Sequence, residues 1–443
     1  MKMTSLVRHL SSIAHMKKHF DVIVSGGGMI GTALTCLLAQ TPMFSGLKIL
    51  LLEPSQPKQW TLSPSYSNRV SSINDATKRL MESLGAWEHI TNTRFKPVMN
   101  MKVWDCSGAK IEFENGLNPV AYIVENDILI DAVEKRLKAA TNVTVMNGLR
   151  VEQYKLPKEL NEQVELQISD GSTISCNLLI GADGANSQVR KTMGVQYLSW
   201  AYGQTAVVAT LQLAQGSQNS TAWQRFLSTG PVALLPLTDD LCSLVWSTSS
   251  QEAKTLLKLP NDSFVDALND ALWREPVRSE AVNAISSVTR KLLGLVDSQN
   301  SASLPQPPNV AAVVEGSRAA FPLGFGHATS YVAPCVALVG DSAHKIHPLA
   351  GQGVNLGYGD IACLVEQLTR AVHLGRHIGD LTTLREYQRL RQRHNVPMMA
   401  AVDVMARVYS SQNPALMAAG NIALQMANTV QPIKALMMSR AAA

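Results

Sequence analysis

Short apolar runs, several of them closed by glycine or an acid, alternate along this chain with stretches of helical spacing. Near the amino end, Phe20–Val24 reads as an apolar strand running into Gly26, Gly27 and Gly28, and Thr32–Gln40 follows as a helix of small and apolar residues. A second apolar run, Lys48–Leu52, ends on Glu53, which completes a β-α-β unit. Asn126–Ala140 has a capping residue and helical apolar spacing. Met99–Asp105 and Lys110–Phe113 read as paired strands. Thr205–Leu211, Pro231–Leu237 and Leu241–Thr248 are also strand-like, and a Thr-Asp-Asp turn joins the last two as a hairpin. Residues 261–295 read as mostly helical, and 298–308, rich in Ser, Gln and Pro, as a surface loop. A β-branched run, Val336–Val339, precedes a Gly-rich stretch and a long helical pattern. No window of 18 uninterrupted apolar residues occurs, so no membrane-crossing helix is expected.

With 443 residues, 46% hydrophobic and 16% charged, the chain can fill two packed domains. Its six cysteines (36, 106, 176, 242, 335 and 363) are scattered, with no C-x-x-C and no metal-ligand spacing. They read as buried thiols in a reducing compartment; neither a disulfide framework nor a metal site is expected. The net charge of +5 is concentrated at one end: Lys2, Arg8, Lys17 and Lys18 fall in the first twenty residues, which hold no acid. A nucleic-acid surface is therefore disfavoured. The leader is basic and Ser-containing, with Leu6, Leu10 and Ile13 at helical spacing, which are the properties of a transit peptide; a disordered amino tail is the alternative.

Three motifs carry the chemistry. The first is G-x-G-x-x-G at Gly26, Gly28 and Gly31. Gly26 permits a tight turn, Gly28 lets backbone approach a pyrophosphate, and Gly31 lets helix pack on strand; Glu53 stands where an acid accepts from an adenosine ribose hydroxyl. The second is an Asp-Gly turn, Asp183-Gly184, after the apolar strand Leu178–Ile180 and before a helix-like Val-Arg-Lys. The third runs from Gly340 and Asp341 through Pro348, Gly351, Gln352 and Gly353 to Asn355. Its glycines open a helix whose unpaired N–H groups and positive dipole suit an anionic ring.

In this order the motifs resemble those of the FAD-dependent aromatic hydroxylases, the class A flavoprotein monooxygenases. The resemblance implies an α/β fold: a Rossmann-like FAD-binding domain, an inserted β-sheet-rich substrate domain and a helical carboxyl terminus. The expected division is a transit peptide at 1–19, FAD-binding parts at 20–95, 123–195 and 323–370, substrate-sheet strands at 96–122, the substrate domain at 196–322, and helices at 371–443. Asp341 is expected on a ribityl or ribose hydroxyl, Pro348 beside the isoalloxazine, and Gly351, Gln352 and Gly353 beneath it. Asp183, Gly184 and Arg69 are expected near the pyrophosphate, with Arg69 leading into a helix after Ser71 and Ser72. The flavin carries the chemistry, so no catalytic side chain is assigned; His344 and His347 are read as supports of the Pro348 turn. Trp246, on an apolar strand, is a candidate either for the substrate pocket or for plain core.

Further runs, among them Ser67–Ile73, Gly85–Ile90, Tyr122–Asp127, Ala222–Leu227 and Arg391–Asn395, resemble one branch of that family, the ubiquinone-biosynthesis monooxygenases of animal mitochondria. This resemblance, and neither spacing nor composition, implies the reaction and its partners. The implied substrates are a polyprenylated hydroxybenzoate or phenol, hydroxylated at ring C5 through a flavin C4a-hydroperoxide, and O2. The implied electron donors are ferredoxin and ferredoxin reductase. The implied partners are other ubiquinone-biosynthesis proteins in a membrane-associated complex, at the matrix side of the mitochondrial inner membrane. An NADPH-dependent hydroxylase or epoxidase of another apolar substrate, and an FAD-binding scaffold without turnover, stay open. After Asp403 the chain has no acid but keeps Arg407, Lys434 and Arg440 among Met and Ala. That end suits a peripheral membrane contact or a helix pair packed on the FAD domain.

Overall fold

The computed structural model describes residues 18–57, 60–157, 162–214, 218–275, 305–411 and 413–429. The leader up to residue 17, the part of the expected helical stretch from 276 to 295, the Ser/Gln/Pro stretch up to residue 304 and the last fourteen positions lie outside the described residues. Two large sheets organise the rest. In the first, strands β18 (Val332–Ala333), β19 (Val336–Leu338), β11 (Thr173–Gly181), β1 (Lys18–Ser25), β2 (Ile49–Glu53) and β8 (Val143–Asn147) lie side by side. β9 (Val151–Lys155) and β10 (Val164–Ile168) extend it antiparallel from β11. β1 runs parallel to β2 and β11, and β11 parallel to β19. Strands covered on both faces need continuous apolar sequence, and Val22, Ile23, Val24, Leu178, Leu179 and Ile180 are all 0% exposed.

The register of this sheet decides where the motifs meet. Ser25 pairs with Leu52 on one side and Gly181 on the other, and Gly181 pairs with Leu338. Three strands far apart in sequence thus end level. The chain leaves them into Gly26, Asp183 and Gly340, outside the carboxyl ends of parallel strands, where open α/β sheets bind ligands. Helices α1 (Met29–Gln40), α4 (Asn126–Leu137) and α8 (Gly353–His373) pack together beside this sheet.

The second sheet is mainly antiparallel. Its order is β20 (His344–Lys345), β17 (Ala319–Ala328), β12 (Tyr197–Leu213), β15 (Leu241–Ser249), β14 (Gly230–Pro236), β13 (Thr221–Leu227), β5 (Asn100–Asp105) and β6 (Lys110–Glu114), with β16 (Val310–Val313) paired to β12. The β14–β15 hairpin forms as the sequence predicts. One face of this sheet (Val207, Ala209, Val232, Leu234, Leu244 and Trp246) is sealed by Ala253 and Leu256 of α6 (Ser250–Lys258) and by Phe264 and Leu268 of α7 (Asn261–Trp273). On the other face, Phe226, Val103 and Ile111 meet Ile346, Leu349 and Leu356 of the third motif, and Met399, Val402 and Ala406 of α9 (Leu381–Tyr409). A small sheet of β3 (Val70–Ile73), β7 (Ala121–Glu125) and β4 (Lys96–Val98) lies beyond this cluster. The third motif is therefore a seam, since β19 belongs to the first sheet and β20, six residues on, to the second.

Some expectations change. No helix follows Arg69: Val70–Ile73 pairs with β7, and α2 (Asp75–Ser83) starts later, capped by Asn74. Its β-branched and serine residues satisfy their backbone across the sheet instead. Lys18 and His19, counted with the leader, pair with Ile174 and Ser175. β17 crosses the expected boundary between 322 and 323, and β4 and β7 join the small sheet rather than that of β5 and β6. α10 (Pro414–Thr429) packs on α9 and β6, through Leu424 beside Ile111.

Candidate active site

Where the first motif leaves β1, its three glycines do three different jobs. Gly26 has φ +111, and a Cβ there would sit 2.4 Å from the Ala182 carbonyl oxygen. A Cβ on Gly31 would sit 1.8 Å from the Gly26 carbonyl oxygen. Both positions hold protein against protein. Gly28 is different: it meets nothing within 4 Å, so its open side faces space rather than chain. It leads into α1, whose start has no side-chain cap, so the first N–H groups remain for a ligand. Glu53 accepts the Gly27 N–H at 2.7 Å and the Ser55 N–H at 2.9 Å, which props the loop. A carboxylate has about four acceptor sites, so lone pairs remain for a ribose. Below the loop, Ser25 and Tyr154 hydroxyls meet at 2.8 Å.

In the second motif, Oδ2 of Asp183 accepts the N–H groups of Gln188 (2.7 Å) and Val189 (3.2 Å). Its Oδ1 is buried and has no partner among the described residues. A buried acceptor left unpaired costs about 1–3 kcal/mol, so this atom marks a place for a donor that the protein does not supply. Gly184 beside it has φ +76 and open space on its Cβ side. Arg190, in the Val-Arg-Lys that follows the Asp-Gly turn, is given no role by the sequence. Its side chain is buried and donates to the carbonyls of Ser342 and Ala185, both at 2.7 Å, and stacks 3.7 Å from the Tyr197 ring centroid. It ties the second motif to the third. Its only sequence signal is a charge at the start of a short helix, which solvated residues share.

In the third motif Gly340 has φ +59 and Asp341 follows it. The Asp341 side chain is open to the crevice, yet protein closes around it enough that burial pushes its carboxyl above the usual range, against the pull of His344 and Lys345. Pro348 starts a short 3-10 turn that ends on Gly351 (φ +61), and Gln352 precedes α8 without capping it. Gly353 leaves ordinary van der Waals room, 3.5 Å from Ile346. His347 is fully buried. Its Nδ1 accepts the Leu349 N–H at 3.1 Å, so its Nε2 proton faces Gln204 Oε1 at 3.2 Å, and burial lowers its pKa to about 4. It stays neutral and braces the turn, as expected of a support.

Two assignments do not survive the geometry. The Asn355 amide is spent on the chain: Oδ1 accepts from Asn74 N–H (3.1 Å) and Thr77 Oγ1 (2.8 Å), and Nδ2 donates to Ser72 O at 2.9 Å. It sews α8 to β3 and α2 and has no free face for a cofactor. Trp246 is 3% exposed and packs near Phe264 on the helix-covered face, so it is core. Side chains alternate across a strand, and one step of register puts Trp246 on the wrong side. Arg69 is exposed where the chain enters β3, and its side chain makes no hydrogen bond or ion pair among the described residues.

The open face of the second sheet offers what sequence did not. Ala222 belongs to the apolar cluster around Ile123, and Phe226 to the one around Ile346 and Leu349. Between them, Gln224 and its cross-strand neighbours Ala233 and Val245, with Leu235, stay half-buried in the middle of central strands. That part of the face is therefore only partly covered by the described residues. A strand side chain facing a cavity alternates just like one facing core, so periodicity carries no sign of it.

The residues present fit a dinucleotide flavin: an unpaired acceptor at Asp183, an open cradle at Gly28, uncapped starts of α1 and α8, and Asp341 open to the crevice. The FAD binding domain family model matches residues 19–282 and 313–400. The mitochondrial ubiquinone biosynthesis monooxygenase of Xenopus tropicalis is 45% identical over 429 residues, covering 95% of this chain and 92% of that protein. That of Homo sapiens is 44% identical, with 95% and 92% covered. Two solved structures share the fold. A probable FAD-dependent monooxygenase from Pseudomonas aeruginosa has TM-score 0.67 at 21% identity, covering 92% of this chain and 100% of that one. p-Nitrophenol 4-monooxygenase from Pseudomonas putida has TM-score 0.67 at 16% identity, covering 96% and 99%. With FAD as its cofactor and a match along nearly its whole length, the chain belongs to the ubiquinone biosynthesis monooxygenases of the FAD-binding family.

Proposed function

We propose that this chain hydroxylates ring C5 of a polyprenylated hydroxybenzoate or phenol on the way to ubiquinone. Reduced FAD, when bound, activates O2 and gives one oxygen atom to an electron-rich ring. The chain's part is to bind, orient and exclude water. Gly26, Gly28, Gly31, Glu53, Asp183 and Gly184 would hold the adenosine and pyrophosphate end, and Asp341 the ribityl or ribose hydroxyls. Pro348, Gly351, Gln352 and Gly353 would border the isoalloxazine at the start of α8.

The observation that carries the substrate class is the half-open floor of Gln224, Ala233, Leu235 and Val245, which bears no charge. The cation on β13, Arg225, points to the other face, where the carbonyls of Ala271, Leu272 and Arg274 take up its donors. An anionic group on that floor would stand unpaired in an apolar setting, at a cost of several kcal/mol. A neutral phenol ring with a hydrocarbon tail meets no such penalty, so of the two substrates the floor favours the phenol over the ionised hydroxybenzoate. The test is a lipid extract from cells lacking this chain. A prenylphenol without the C5 hydroxyl should accumulate, and wild type but not Gly28→Glu should clear it. Normal quinone content in those cells would refute the assignment.

Ferredoxin and its reductase as electron donors belong to the same proposal, as do a membrane-associated complex of ubiquinone-biosynthesis proteins and a peripheral site on the matrix side of the inner membrane. The curated relatives are named as mitochondrial, and no helix among the described residues is long and apolar enough to cross a membrane. Anaerobic bleaching of the flavin by NADPH alone, with substrate present, would exclude the ferredoxin route. Bleaching only after ferredoxin and its reductase are added is the expected result.

A further inference from the structure

Asp360 of α8 is 0% exposed and far too enclosed to touch a substrate, yet four groups converge on it. Its Oδ2 accepts the Gly340 N–H at 3.0 Å and lies 2.6 Å from His344 Nε2. Its Oδ1 accepts Arg391 Nε–H at 2.8 Å and Asn395 Nδ2–H at 3.1 Å, both from α9. Arg391 also donates to Leu356 O at 3.1 Å and Asn395 Oδ1 at 2.9 Å. His344 and Asn395 are 1% and 0% exposed. Gly359 has no side chain where Arg391 passes, 2.7 Å from the position a Cβ would take. Burial alone would raise the Asp360 carboxyl, but His344 and Arg391 hold it well below the usual range.

The network grips the seam between the two sheets at both ends. Gly340 and His344 are its two held points, and only Asp341, Ser342 and Ala343 lie between them. Ser342 is pinned separately, its hydroxyl within 2.6 Å of the Val339 carbonyl and its own carbonyl accepting from Arg190. Asp341 is the member left facing the crevice. A buried ion pair is a poor way to join helices, because well-packed apolar residues do as well or better. What it does provide is a fixed direction for each bond it accepts.

We propose that Asp360, Arg391 and Asn395 are positioning residues that aim Asp341 at the FAD, so that α9 sets the geometry of the flavin site. The proposal rests on Asp341 meeting the cofactor, and the test keeps the two ideas apart. Breaking one partner of a buried pair can unfold a protein, so the main variant removes both charges together, Asp360→Asn with Arg391→Gln. Its FAD dissociation constant, from fluorescence titration, should rise about tenfold or more, with a shifted flavin midpoint potential and an apoprotein that still melts cooperatively. Asp341→Ala should weaken FAD in wild type, but much less when added to the double variant, because coupled groups are not additive. An unchanged FAD affinity in folded double variant, or an Asp341→Ala effect equal in both backgrounds, overturns the positioning role. An Asp341→Ala protein that binds FAD normally overturns the Asp341 assignment itself, and this proposal with it. Should the double variant fail to fold, Asn395→Ala, which leaves the ion pair intact, is read by the same cycle and the same criteria.

Discussion

Two glycines of one motif, three residues apart, should respond in opposite ways to the same added methyl group. At Gly31 an ideal Cβ falls 1.8 Å from the Gly26 carbonyl oxygen and 3.1 Å from the Ala182 Cβ. Reaching ordinary contact needs roughly 1.5–2 Å of movement between α1 and the loop, and the obstacle is backbone. Overpacking of this kind costs about 1–3 kcal/mol or more, so Gly31→Ala should destabilise the apoprotein by at least that. At Gly28 the backbone has φ −71 and the Cβ meets nothing. Alanine fits there without strain, and by restricting the unfolded chain it stabilises by about 0.4–1 kcal/mol. Once FAD is present the methyl competes with the pyrophosphate. A comparable overpacking cost of about 1–3 kcal/mol becomes a loss of roughly fivefold to a hundredfold or more in affinity. Urea unfolding of the two apoproteins and FAD titration by fluorescence measure both terms. The reasoning fails if Gly28→Ala destabilises the apoprotein as much as Gly31→Ala does, or if it binds FAD as wild type does.

Other outcomes rest on single residues. Asn355→Ala should destabilise the apoprotein by about 1–3 kcal/mol, because Asn74, Thr77 and Ser72 lose a buried partner; a loss seen only in FAD affinity would restore it to the cofactor. Burial depresses the His347 pKa from its ordinary 6.5 to about 4, so its contribution is present above pH 6.5 and fades as pH falls toward 4. The stability of His347→Gln should accordingly vary less over that window, by up to about 3 kcal/mol, and parallel curves from urea titrations at several pH values would count against the buried neutral ring. Deleting residues 2–15 should leave flavin binding intact and send the protein to the cytosol; mitochondrial import of the shortened chain would end the transit-peptide reading.

Much of the site was legible because its signals are local. A glycine pattern after an apolar strand and an acid at the end of the next strand are both local features that a phosphate-approaching turn would need. Such a turn is built within a few residues, so Gly26, Gly28, Gly31 and Glu53 could be named from sequence, as could the Asp183-Gly184 turn and the start of α8. Strand and helix periods likewise gave the β14–β15 hairpin and the helix from Asn126. Other assignments depended on what lies across a gap that sequence does not record. Asn355 sits inside the third motif, yet its amide faces Asn74 and Thr77. Trp246 occupies an apolar strand like its neighbours, and only the sheet's register turns it toward Phe264. Arg190, Asp360 and Arg391 carry no role legible in the sequence; they became central when folding brought them within 3 Å of groups far away in the chain. Backbone and turn preferences act between neighbours, and so the sequence by itself determined the motifs and their class of ligand. The direction of a buried charge and the half-open patch of the second sheet are set by packing between distant segments, and only the tertiary structure decided them.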